Sequence, residues 1–190
     1  MLNRIKAAVA TMVITGMLVL PAWAQMTCPP PQPPVPGTTN CPNIVAELEP
    51  NDAQSAQDIQ DLGMLPSGSC ITVSPASIEG GVQSSNPDLD AYVLGLSGVS
   101  QLSFTLQTSS QVPFGYIVID LYSGQTLAEC YEATCQVPVQ TDFVAIGVIA
   151  ADVAPYSLTI TGMGGQQPFA AKSLDNLDLT PVEQRFQDLR

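Results

Sequence analysis

From about Val45 to Gly162 the chain is a succession of short runs rich in β-branched and aromatic residues, each ended by Gly, Pro, Ser or Asn. Several runs alternate with a period of two. Leu102, Phe104 and Leu106 point one way and Ser103, Thr105 and Gln107 the other; Tyr156, Leu158 and Ile160 oppose Ser157, Thr159 and Thr161. That period gives a strand one apolar face, and such a face must be covered by a second layer. The candidate strands are Cys70–Val73, Ser77–Gln83, Asp90–Leu96, Gln101–Gln107, Phe114–Tyr122, Thr126–Glu129, Asp142–Ala150 and Tyr156–Thr161. Phe143–Ala151 is continuously apolar and reads as a central strand, Ser123-Gly124-Gln125 as a turn, and Ala53–Leu62 as a short helix or turn. Eight short strands suffice for two sheets around one core. The expected fold is all-β: a single, jelly-roll-like β-sandwich over residues 45–162.

The flanks read differently. Arg4 and Lys6 precede an apolar stretch from Ala7 to Leu20, followed by Pro21 and the small-x-small series Ala22-Trp23-Ala24. This is the pattern of a secretory signal peptide over residues 1–24, the alternative being a retained anchor. The apolar stretch is shorter than a spanning helix needs, so no membrane span is expected after cleavage. Residues 25–44 carry Cys28-Pro-Pro-Pro-Gln-Pro-Pro-Val-Pro36 and read as an extended, polyproline-like stalk; recruitment of a proline-reading module is the alternative. Beyond Gly162, residues 163–190 read as a linker and a helical tail. Thr180-Pro181-Val182-Glu183 has a threonine N-cap, proline at the first helical position and glutamate three on. Val182, Phe186 and Leu189 share a face, which either docks back on the domain or recruits a partner.

Charge narrows the function. The chain has 17 acidic and 5 basic residues, a net charge of -12 and no histidine. The bases are Arg4, Lys6, Lys172, Arg185 and Arg190, so none lies between residues 7 and 171. Nucleic-acid binding needs cations against phosphate and is excluded, and an anionic membrane surface is a poor partner for the same reason. Without histidine there is no Ser-His-Asp or Cys-His machinery and no imidazole metal site. Carboxylates, hydroxyls and amides remain, a set suited to hard cations. Cleavage after Ala24 would remove two bases and no acids.

Export makes disulfides expected among Cys28, Cys41, Cys70, Cys130 and Cys135. Cys130 and Cys135 have the spacing of a bridge across a tight hairpin. Cys28–Cys41 would close the stalk, and Cys41–Cys70 would tie the start of the domain to an early strand. Spacing leaves both open, with the odd thiol free or intermolecular.

The most informative stretch is Glu47-Leu48-Glu49-Pro50-Asn51-Asp52. In an extended backbone Glu47, Glu49 and Asn51 project to one side, and Pro50 restricts Glu49 to that conformation. Asp88-Leu89-Asp90 supplies a second pair two apart. If the segments meet, five carboxylates and one amide oxygen converge without a nearby base. Calcium, which takes six to eight oxygens at flexible geometry, fits better than magnesium; one or two ions are expected. The alternative is a solvated acidic turn with Asp52 capping a short helix.

These residues, with Ala56, Gly80-Gly81, Asp88-Leu-Asp90-Ala-Tyr92 and Tyr156-Ser-Leu158-Thr-Ile160, resemble in order the bacterial pre-peptidase C-terminal domain family. The resemblance covers about residues 45–162; the cysteines and the tail are outside it. It implies a compact β-sandwich similar to the collagen-binding domains of clostridial collagenases. It also implies calcium ligation by Glu47, Glu49, Asn51, Asp52, Asp88 and Asp90, ordering the N-terminal linker against the sandwich. The expected function is an exported, non-catalytic binding or structural module, secreted or periplasmic, with a protein or polysaccharide ligand of the envelope or matrix. The alternatives are an accessory subunit docking to an exported partner through its C-terminal helix, and a carboxylate-dependent hydrolase.

Overall fold

The computed structural model describes residues 41–49, 51, 58–81, 88–164 and 179–188. The leader, residues 25–40 of the stalk (with Cys28), Asp52 and Leu189 lie outside them; the last stalk residue, Ile44, opens β1. Among the described residues ten strands, β1 (Ile44–Val45), β2 (Gln60–Pro66), β3 (Cys70–Ile78), β4 (Asp90–Ser97), β5 (Gln101–Thr108), β6 (Phe114–Asp120), β7 (Thr126–Cys130), β8 (Thr134–Pro138), β9 (Phe143–Ala150) and β10 (Ala154–Met163), precede one helix, α1 (Thr180–Gln187). They form two five-stranded sheets, ordered β1-β3-β10-β5-β8 and β2-β4-β9-β6-β7. The domain is a β-sandwich.

Period-two alternation builds the core. Leu102, Phe104 and Leu106 of β5 and Leu158 and Ile160 of β10 meet Tyr92, Leu94 and Leu96 of β4 and Val144, Ile146 and Val148 of β9 in one cluster between the sheets. The strand β9 lies at the centre of its sheet, as its uninterrupted apolarity predicts. Its alternate residues are apolar too because the outer face of this sheet is also covered. Phe143 and Ala145, with Ala91 and Val93 of β4 and Ile117 and Ile119 of β6, form a second cluster with Val182 and Phe186 of α1.

Some local expectations change. Residues 60–62, assigned to a helix or turn, open β2, which pairs in parallel with β4. Pro75 does not split β3: the strand runs through it with a cis Ser74–Pro75 bond, opposite a register shift between Tyr156 and Leu158 of β10. The turn at Ser123-Gly124-Gln125 is present, with Gly124 at φ 67, where a side chain would be strained. Three strands escape the sequence pattern: β2, the two-residue β1 and the edge strand β8. At α1 the N-cap is Leu179 without a side-chain hydrogen bond, so Thr180 is the first helical residue, not the cap.

Two disulfides join the described cysteines, Cys41–Cys70 and Cys130–Cys135. The second is not a bridge within a hairpin. Cys130 ends β7 and Cys135 lies in β8, so it clamps the edge strands of opposite sheets. By loop entropy the shorter link contributes about 2 kcal/mol and the longer about 3.5 kcal/mol. Cys41→Ser/Cys70→Ser should therefore lower the urea midpoint more than Cys130→Ser/Cys135→Ser. The reverse order would show that clamping the sheets outweighs loop length.

Candidate metal centre

The stretch after β1, residues 46–49 with Asn51, is tied to β3 in one sheet and β4 in the other. Two anchors hold it: the Glu47 amide donates to the Pro75 carbonyl oxygen (3.3 Å), and the Ala91 amide to the Asn51 carbonyl oxygen (2.8 Å). Gln60, at the start of β2, braces the same segment. Its amide oxygen accepts from the Leu48 amide (3.0 Å) and its nitrogen donates to the Ala46 carbonyl oxygen (2.9 Å).

So held, the segment turns Glu47, Glu49 and Asn51 towards Asp90, the first residue of β4. One oxygen from each of Glu47, Glu49 and Asp90 lies within 4.8 Å of the others. Asn51 and Asp90 are wholly buried. The Asn51 amide can be assigned in either of two orientations, of which the second better satisfies its hydrogen bonds. In one, its nitrogen donates to Glu47 Oε1 (3.3 Å) and its oxygen faces Glu49 and Asp90. In the other, the nitrogen donates to Glu49 Oε2 (3.3 Å) and Asp90 Oδ1 (3.2 Å). Only the first orientation presents four oxygens to a common centre.

Two tyrosines from opposite sheets close the inner side. Tyr92 Oη contacts Glu47 Oε1 at 2.8 Å, the two tyrosine oxygens are 2.6 Å apart, and Tyr156 Oη lies 2.6 Å from Asp90 Oδ2. Three short oxygen–oxygen contacts share two hydroxyl hydrogens, so a third proton is required when no cation is bound. Asp90 is its place: burial, the hydrogen bond to Glu47 and the charges of Glu47 and Asp88 push its carboxyl up to about 10. Tyr156 Oη donates to Asp90 Oδ2 and Tyr92 Oη to Glu47 Oε1; the first of these bonds opposes the rise, and the Asp90–Glu47 hydrogen bond adds to it. Burial and the same carboxylates push both tyrosine hydroxyls above their ordinary range.

The donor set fits calcium. Three oxygens no more than 4.8 Å apart all lie within about 2.8 Å of a common point, close to the roughly 2.3–2.6 Å of calcium ligands. Glu47 offers one oxygen, because its Oε2 accepts from the Ser77 amide at 2.7 Å. Among the described residues the only base is Arg185, which pairs with Glu129. A cation or a proton is therefore the available counter-charge.

Of the expected ligands, Glu47, Glu49, Asn51 and Asp90 are brought together; Asp52 lies outside the described residues. Asp88 is not part of the converging set: it accepts from the Glu79 amide and donates its own amide to the Gly80 carbonyl oxygen (2.7 Å). It staples a loop and acts on Asp90 through charge. At the tail, Val182 and Phe186 are wholly buried against the protein's own sheet, so neither is exposed to a partner. Sequence reasoning missed Tyr92, Tyr156, Gln60 and Ser77 as parts of the site. Tyr92 carried a signal, lying two residues from Asp90 on the same face of β4. The backbone amide of Ser77 carried none.

No family model matches this chain, and none of the curated proteins does. Two solved structures share its outline. The pre-peptidase C-terminal domain of a collagenase from Bacillus anthracis is similar with a TM-score of 0.40 and 9% identity, over 54% of this chain and 96% of that chain. PliG of Aeromonas hydrophila, a periplasmic lysozyme inhibitor of g-type lysozyme, is similar with a TM-score of 0.36 and 14% identity, over 53% and 97%.

Proposed function

We propose that the chain is an exported, non-catalytic binding or structural module whose sandwich is stabilised by one calcium ion, held by Glu47, Glu49, Asn51 and Asp90. The observation that carries this reading is the convergence of three carboxylates on a buried amide, with no base beside them among the described residues. The ion would join the stretch after β1 to β4. The leader-like N-terminus and two disulfides support a secreted or periplasmic location. The absence of histidine from the sequence supports a role in binding, not catalysis. A protein or polysaccharide of the envelope or matrix is the ligand class. The reading in which the tail recruits a partner loses support, because Val182 and Phe186 are already committed to the sheet.

Thermal melting in calcium and in chelator tests this. An ion at a hundred times its Kd stabilises by about 2.7 kcal/mol. That corresponds to a midpoint on the order of 10 °C higher for a domain of this size. An unchanged midpoint, or an equal rise with magnesium, would remove calcium from the proposal.

A further inference from the structure

The outer face of the β2-β4-β9-β6-β7 sheet is not fully covered by α1. The helix runs alongside β7: Pro181 lies over Gly124, and Arg185 reaches Thr126 and Glu129. Phe186 ends the covered stretch on Gly147, where a Cβ would lie 2.7 Å from its ring. Beyond Phe186 a trough lined by Gly115, Ile117, Glu129, Tyr131, Gly147 and Ile149 stays open. The pairings Gly115–Ile149 and Ile117–Gly147 alternate missing and branched side chains across two strands, which makes the floor shallow and apolar. Tyr131 forms the far wall, its ring 3.0 Å from where a Gly115 Cβ would be, and it is 71% exposed. It follows Cys130, whose disulfide to Cys135 fixes the loop on which it stands.

We propose that this trough docks a protein partner by receiving one of its lysine or arginine side chains. The aliphatic stem would lie over Ile149 and the two glycines, and the charged head would reach Glu129 beside the Tyr131 ring. Such side chains cover apolar surface with their stems while the head stays at a polar rim. A cation over a tyrosine face is attracted by its quadrupole. Glu129 already holds one guanidinium, and the incoming head would share its carboxylate. Arg185, the single base among the described residues, lies 3.8 Å from Glu129 and donates to Thr126 Oγ1 at 3.2 Å. Charge favours the same occupant, since acids outnumber bases 17 to 5. Partial burial and, after it, the Glu129 charge raise the Tyr131 hydroxyl above its ordinary value. This inference names a partner chemistry for the binding module and rests on that reading, although not on its calcium.

The test is an amide-shift titration of the uniformly labelled chain, in calcium, with the pentapeptide Ala-Gly-Arg-Gly-Ala. Analogues with norleucine or glutamate at the centre serve as controls. The arginine peptide should shift Gly115, Tyr131, Gly147 and Ile149 saturably, about fivefold more tightly than the norleucine peptide. Tyr131→Ala and Glu129→Gln, both at accessible positions, should each weaken it by about threefold or more. Equal binding of the norleucine peptide, shifts centred on Glu47 and Asp90, or none at about 20 mM, far above the range expected of a specific site, would overturn the proposal. A melting midpoint indifferent to calcium would sink the metal reading alone and leave this result standing.

Discussion

In chelator, the domain should melt at progressively lower temperature as pH rises from about 5 to about 9, and Asp90→Asn should abolish the slope. The folded protein holds the Asp90 proton up to about 10, against an ordinary value of 3.8. The folded state therefore binds a proton that the unfolded chain releases. The stability this contributes is complete below about pH 4, the unfolded value, and is lost as pH rises through the folded one. The loss approaches about 1.4 kcal/mol per pH unit, or about 5 kcal/mol over four units. Calcium would replace the proton, so its affinity should rise with pH by up to about tenfold per unit and its binding should release about one proton. Asparagine at 90 fills the same space without ionising. In chelator at pH 9 the variant should be more stable than the parent, yet unresponsive to calcium. Differential scanning calorimetry across pH in both buffers checks each point. A wild-type midpoint that stays flat in chelator would show that Asp90 is ionised without a cation, and would remove the proton from the network.

The distinction between what the residues announced and what they concealed follows from the range of each interaction. Period-two alternation is local, so Leu102-Phe104-Leu106 and Tyr156-Leu158-Ile160 disclosed their strands, and unbroken apolarity at Phe143–Ala150 disclosed a strand covered on both faces. The strand β2 carries a glycine, a proline and a register shift between Asp61 and Met64, and its parallel partner lies far along the chain. Nothing local distinguishes it from a helix or turn. The carboxylates of the site were visible because two-residue spacing places Glu47, Glu49 and Asn51 together. The hydrogen bonds they accept from Tyr92 and Tyr156 join strands in opposite sheets, so only the Tyr92 half, two residues from Asp90, had a local signature. Spacing likewise misread Cys130–Cys135, since five residues suit a hairpin and a clamp between sheets equally.

Phe186→Ala should release α1 while leaving the sandwich folded. Removing a buried phenylalanine costs about 3–5 kcal/mol. A helix of eight residues cannot hold its own fold in water, so its order rests on Phe186, Val182 and the Arg185–Glu129 pair. The cost of the substitution is capped by the docking energy of the helix, because the helix can leave. The variant should then match a chain truncated before Leu179 in three respects. Amides 182–188 lose exchange protection, dye binding rises as Ala91, Val93, Ile117 and Phe143 are uncovered, and the midpoint falls to the same value in both. Gly147→Val should act from the other side, since its Cβ alone would stand 2.7 Å from the Phe186 ring. Phe104→Ala removes a side chain of the same size from between the sheets, where nothing can detach. It should lower the midpoint of the whole domain further and leave the exchange rates of α1 tied to global unfolding. Retained protection of amides 182–188 in Phe186→Ala would mean that Val182 and the ion pair hold the helix unaided.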